Sequence, residues 1–505
     1  MRYPRVLAAL SLCGLLLIGF AQGAHAAPGD ATASQVADIR PGLFDSAPHS
    51  LFNAGGTLLF SADDGTHGVE LWKSNGGPLG PGGTELAADI SGSGSSDPQD
   101  FAEVDGTVFF AANDGIHGIE LWKVAPPFTT PIMVEDINPT ASGVLPPAQL
   151  TNVNGTLFFA ANDGTGKELW KSVAPYNAAS TEIVKNINTT TPTADSSPGQ
   201  LTNINGTLLF NADDGTGDEL WKSVAPYDST STTKIDINPS GDSFPGPLTN
   251  VNGTLLFEAD DGSGDGFELF KVAPPYTAAT QVEDINPSGN ADVAQLVNLN
   301  GTLFFRANDG SGVGQHGAEL WKSVAPFDAA STNLIDINPG PASSAPTVLT
   351  NVGGTLFFRA DDGVNGAELW RSNGGPLGPG GTEMVADIDP GSGGSSPSRI
   401  TDVNGIAFFG AEEPANGQEL WKSNGVGANM VADISSGAGG SAPNELTNVG
   451  GTLFLAATDN GVTGRELWKA TIEGPAPPAA PPAATTITPP PTPSAKKKKC
   501  KKKKR

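Results

Sequence analysis

A Glu-Leu-Trp triplet begins at Glu70, Glu120, Glu168, Glu219, Glu319, Glu368, Glu419 and Glu466, and a Glu-Leu-Phe variant begins at Glu268. These nine copies lie 47 to 51 residues apart and fill most of the 505-residue chain. A period of this size constrains the fold more than any other feature. Each unit is too small to bury its own apolar surface, so the units must stack on one another. A domain count taken from length therefore does not apply.

One repeat, read in order, carries four strand signals. Leu150 to Val153 ends at Asn154-Gly155, a two-residue hairpin pair whose members both tolerate positive φ. Thr156 to Ala161 is apolar at successive positions, which predicts a strand covered on both faces. After the turn Asn162-Asp163-Gly164-Thr165-Gly166, Glu168 to Lys171 forms the third strand, and Ile183 to Ile187 the fourth. Four antiparallel strands in about 50 residues describe a propeller blade. A solenoid could use similar units but needs polar caps at its ends. The termini decide between them. Val36-Ala37-Asp38-Ile39 is a fourth-strand motif standing alone before the first hairpin, and the ninth repeat stops after its third strand at Trp468. The expected fold is all-β: a β-propeller of four-stranded blades, nine repeats closed into one ring by the N-terminal strand. The eighth repeat departs furthest, with Glu412-Glu413-Pro414 in place of Asp-Asp-Gly, yet it keeps Glu419-Leu420-Trp421 and counts as a blade.

The stretch Ala62-Asp63-Asp64-Gly65-Thr66-His67-Gly68-Val69-Glu70-Leu71-Trp72 and its relatives resemble the Glu-Leu-Trp-x-x-Asp-Gly-Thr repeats of secreted bacterial proteins. The likeness spans residues 33–474 and departs after the Trp, where Ser74-Asn75-Gly76 or Ser172-Val173-Ala174-Pro175-Tyr176 stands in place of Asp-Gly-Thr. It implies a secreted or surface propeller and brings no catalytic residue or ligand with it.

Residues 1–26 read as a secretory signal: Arg2 and Arg5, an apolar run from Val6 to Phe20, and Ala24-His25-Ala26 for cleavage. The alternative is an uncleaved anchor, for which the apolar run is short. Past residue 33 the repeats run to 474, followed by a Pro/Ala/Thr-rich linker over 475–495 and a Lys-rich tail over 496–505. With the leader and tail set aside, 17 basic residues face 54 acidic ones, so the body carries about −37. That excludes nucleic acid as a partner and suits cations or neutral polymers. The tail could tether an exported ring to an anionic component of the cell envelope, or be a solvated end that aids solubility. Cys500, the one cysteine beyond the leader, could join two chains but closes no internal disulfide.

Three sets of residues are candidates for function. Asp63, Asp64, Asp114, Asp163, Asp213, Asp214, Asp260, Asp261, Asp309, Asp361 and Asp362 recur in the turns between second and third strands. Gathered on one face they could bind calcium; the competing reading is turn chemistry, each carboxylate capping nearby amides. Phe128, Tyr176, Tyr227, Tyr276 and Phe327 occupy equivalent Pro-containing loops in five consecutive repeats. They form either an aromatic platform for a glycan or caps folded over the blades. Trp72, Trp122, Trp170, Trp221, Trp321, Trp370, Trp421 and Trp468 are expected to pack blade against blade, with the Glu before them as a strand-end turn partner. No nucleophile elbow, zinc-binding His pair or phosphate loop is present. The expectation is an exported, non-enzymatic scaffold that binds an extracellular polymer or protein; a polysaccharide hydrolase or lyase and a purely structural surface protein are the alternatives.

Overall fold

In a computed structural model the described residues are 31–472, apart from 147, 311, 313 and 460. The expected leader, linker and basic tail with Cys500 lie outside them. Nine four-stranded antiparallel sheets form a nine-bladed β-propeller. Blades 1 to 8 follow the chain in order, each sheet ordered first, second, third, fourth strand. Blade 9 takes its first three strands from Asn444–Val449, Thr452–Thr458 and Arg465–Ile472, and its fourth from Ala31–Ala37. Ala31 pairs with Ile472 and Gln35 with Trp468, so the two ends of the repeat array share one sheet and no blade edge is left open at the seam. The eighth repeat is a full blade, from Ser398–Val403 to Asn429–Ala432. Among the described residues no helix is long and apolar enough to cross a membrane.

Repeat 3 shows how the sequence sets the strands. They run Thr151–Val153, Thr156–Asn162, Lys167–Ser172 and Thr181–Lys185. The fourth starts two residues earlier than its apolar signal suggests, and Ile187 lies past its end. Second strands are covered on both faces because blades pack on both sides of them: Leu58, Leu59 and Phe60 are all fully buried. Nine apolar clusters result, one in each seam between blades. Successive residues of a strand point to opposite faces, so the Leu and Trp of one triplet enter different seams. Leu169 packs toward blade 4 and Trp170 toward blade 2. Trp72, Trp170, Trp221, Trp321 and Trp370 are buried, and Trp122, Trp421 and Trp468 half-buried, in such seams. The first strands stand innermost, each touching the next all the way round, and wall a central channel.

Candidate functional site: the mouth of the central channel

The residues repeated most faithfully are occupied in holding the ring together. Each triplet Glu is buried and reaches further than a turn partner would. In all nine blades its carboxylate accepts the backbone N–H of an Ile just past the fourth strand, as Glu70 does from Ile90 at 2.7 Å and Glu466 from Ile39 at 2.8 Å. In seven blades it also accepts a serine hydroxyl from the connection to the next blade: Ser46, Ser96, Ser196, Ser243, Ser344, Ser395 and Ser441. The Glu thus clamps the chain where it leaves one blade for the next. Among the described residues no cation pairs with it, and burial pushes Glu120, Glu268, Glu319 and Glu466 up to about 7.

The aromatic loops do not form a platform. Phe128, Tyr176, Tyr276 and Phe327 are buried and Tyr227 half-buried, each turned into the seam with the preceding blade. Tyr176 meets Phe109 edge-on at 5.0 Å and Tyr227 meets Phe158 at 5.1 Å. The hydroxyls of Tyr176, Tyr227 and Tyr276 donate to Gly155, Gly206 and Gly253 carbonyls in the hairpins of their own blades. The Lys that follows the triplet in blades 1 to 5 (Lys73, Lys123, Lys171, Lys222 and Lys271) grips the same loops across the seam: Lys123 donates to the Tyr176 carbonyl at 2.6 Å, and Lys271 to that of Phe327 at 2.6 Å. The loops fold inward because a ring buried on Phe109 or Phe158 gains apolar contact that an exposed tip would forgo.

The acidic turns also consume their own carboxylates. Asp63, Asp213, Asp260 and Asp361 each accept the N–H of the Gly two residues on. Asp64, Asp114, Asp163, Asp214, Asp261, Asp309 and Asp362 accept amides further along the same turn. Their second oxygens are taken by side chains where the sequence supplies one: His67, His117 and His316 through Nδ1, Lys234, and Asn365. The Asp64, Asp114 and Asp309 hydrogen bonds raise the pKa values of those three histidines. Among the described residues no three His, Cys, Asp or Glu side chains come together as a metal site.

What varies on this constant frame lies at one end of the channel. At the entry to the first strand, eight blades hold a residue in left-handed conformation: Ser50, Asp100, Gln149, Gln200, Gln295, Val348, Arg399 and Glu445, with φ between +53° and +58°. Pro247 holds that place in blade 5. In seven of these eight blades, and in blade 5, the register shifts there, marking a bulge that re-aims side chains. Below the bulge the inner edge is stitched to its neighbours. Thr151, Thr350, Thr401 and Thr447 hydroxyls donate to the next blade's carbonyls. The Asn203, Asn298 and Asn448 amides donate to the preceding blade's, and Asn53 closes the ring onto Asn448 at 3.1 Å. Unpaired edge carbonyls are thereby satisfied without a partner strand. The mouth position carries Gln in three blades and a different residue in each of the others.

His49 sits beside this mouth. Its Nδ1 faces the Ala47 carbonyl at 3.0 Å and its Nε2 faces Asp97 at 2.9 Å. Both partners only accept, so the ring is satisfied when doubly protonated, and the Asp97 hydrogen bond raises its pKa. It ties the start of blade 1 to the connection that enters blade 2. Sequence reading missed this mouth. Its signal is the Ser-x-Pro that opens seven of the nine blades, as in Ser46-Ala47-Pro48, with the mouth residue four positions past the Ser.

The class defined by this geometry is a nine-bladed β-propeller with a structurally constant frame and a varied channel mouth. No protein-family model matches the chain, and no curated protein matches it. Solved structures similar to it include one from a study of two prolyl endopeptidases, with TM-score 0.40 and 10% identity over 76% of this chain and 55% of that one. Puromycin hydrolase is similar with TM-score 0.36 and 13% identity, over 85% and 61%. The chain spans little more than half the length of these proteins, and likeness at this level carries nothing about activity.

Proposed function

We propose that the chain is an exported, non-enzymatic scaffold that binds an extracellular polymer at the channel mouth and is tethered to the cell envelope by its basic tail. The observation that carries this reading is the division of labour among repeated residues. Glu, Lys, Trp and loop aromatics are spent on seams, whereas the eight left-handed mouth positions hold one backbone conformation and carry six kinds of side chain. A fixed frame with exchangeable side chains presents a recognition surface on rigid elements. The mouth offers amides, carboxylates and one guanidinium, which suits hydroxyl-rich polymers better than anionic ones. Export is supported by residues 1–26 and by the likeness to secreted Glu-Leu-Trp repeat proteins. The run Lys496–Lys499 and Lys501–Arg505 supports attachment to anionic wall polymers or lipid head groups.

Co-sedimentation of the full chain with insoluble cell-envelope polymers, at rising salt, tests both parts. Binding is expected, with a salt-sensitive fraction that disappears when residues 496–505 are removed. Absence of binding at low salt would refute the scaffold, and salt-independent binding unaffected by the truncation would refute the tether.

A further inference from the structure

We infer that the channel sector formed by blades 1 to 3 is a subsite for a single sugar ring of an extracellular glycan. This rests on the polymer-binding reading above and specifies where the contact is made. Here the constant frame is broken in several ways at once. The residue after the mouth position is Leu or Ile in eight blades and Phe101 in blade 2. The next position, Thr in most blades, is Phe52 in blade 1. These two half-buried rings stack across the seam, centroids 5.8 Å apart and planes 22° from parallel.

The exchange removes the side-chain stitching between blades 1 and 2, while between blades 2 and 3 the Asn152 amide still donates to the Glu103 carbonyl at 3.1 Å. Phe52 has no hydroxyl to give blade 2, and Glu103, standing where most blades have Asn, has no donor to give blade 1. Ala102 likewise has no hydroxyl to give blade 3. The first strand of blade 3 is cut to Thr151–Val153, against six residues in the other blades. The seam opens into a cavity of about 260 Å³ lined by Asp100, Phe101, Gln149, Leu150 and Thr151. A frame that changes its inner-edge residues in two adjacent blades and shortens the strand of a third has gained something there.

The lining has two kinds of surface. Phe101 and Leu150 give an apolar wall, suited to the C–H face of a pyranose. Asp100 receives the Ala148 amide on Oδ2 at 2.7 Å, leaving Oδ1 as an acceptor. The Gln149 side chain makes no hydrogen bond among the described residues and offers both a donor and an acceptor. A sugar ring uses both surfaces: hydroxyls donate to Asp100 and pair with Gln149 while its apolar face covers the phenyl ring. The volume lies just under the range of about 300–1,000 Å³ typical of drug-sized ligands, which limits the occupant to about one ring.

Titration of the full chain with cello-, chito- and manno-hexaose, followed by calorimetry, tests the subsite. Phe101→Leu restores the residue that the frame uses elsewhere, so it is expected to fold; Asp100→Asn and Gln149→Ala remove the polar contacts. At least one hexaose should bind the parent, and the three variants should each bind it about tenfold more weakly or worse. Equal affinity of parent and Phe101→Leu, or no binding of any hexaose, would overturn the subsite. Envelope-polymer binding measured on the same samples separates the two readings. If parent and variant both retain it, the subsite alone falls; if the parent has lost it too, the scaffold falls as well. Binding of a Lys-rich peptide in place of every hexaose, abolished by Asp100→Asn, would make the partner a cation and overturn the sugar assignment.

Discussion

At the scale of single residues, the buried glutamates dominate. Glu319 accepts the Ile337 amide at 2.9 Å, the Ser344 amide at 2.6 Å and the Ser344 hydroxyl at 2.5 Å. Glu319→Ala leaves these donors buried and unpaired, at about 1–3 kcal/mol each, so urea denaturation should register a loss of about 3 kcal/mol or more. Stability should also depend on pH with a definite sign. Carboxyls raised to about 7 in the fold, against about 4.5 when unfolded, stabilise fully below the lower value and lose that contribution as pH rises through the upper. His49, His67, His117 and His316, also raised, act in the same direction. The melting temperature should be several degrees higher at pH 5 than at pH 8; equal values, or the reverse order, would contradict the account of the clamp. None of this was legible in the triplet itself. An acidic residue before Leu-Trp reads as a strand-end group, because its Ile and Ser partners lie 15 to 28 residues away along the chain in most blades.

At the scale of the element, the blade was largely legible. Asn-Gly hairpins, doubly apolar second strands and the triplet fixed three of four strands to within a residue or two in repeat 3. The fourth was harder, since Ile187 and its equivalents carry an apolar signal past the point where pairing ends. The aromatic loops show a further limit. Sequence places Tyr176 at a loop tip but says nothing of the direction of the loop, which Phe109 on the preceding blade decides. Tyr176→Ala should cost about 3–5 kcal/mol, as a large aromatic removed from a core, and leave ligand binding unchanged. Tyr176→Phe forfeits only the hydroxyl bond to Gly155, about 1 kcal/mol. A Tyr176→Ala chain that keeps its stability while losing ligand would return the loops to the role of a platform.

At the scale of the whole molecule, nine seams hold one ring, and the join between the ends is as well made as the rest. Strand Ala31–Ala37 pairs along Arg465–Ile472, Ser46 binds Glu466, and the Thr447 hydroxyl reaches Leu51 across the channel wall. Closure was readable because fourth-strand motifs are displaced by one to the front of the chain. Removing residues 31–40 should bare a strand edge and take the Ile39 amide from one clamp, and size-exclusion chromatography should then show aggregation where the parent runs as a single species. The central claim is that seam residues build the ring and the channel mouth binds. It is tested most directly by measuring melting temperature and glycan affinity together on three chains: the parent, a Tyr176→Ala, Tyr227→Ala, Tyr276→Ala variant, and a Phe101→Leu, Gln149→Ala variant. The account predicts that the first variant melts lower with parental affinity and that the second melts like the parent with affinity lost. Affinity lost in the loop variant and kept in the channel variant would contradict it.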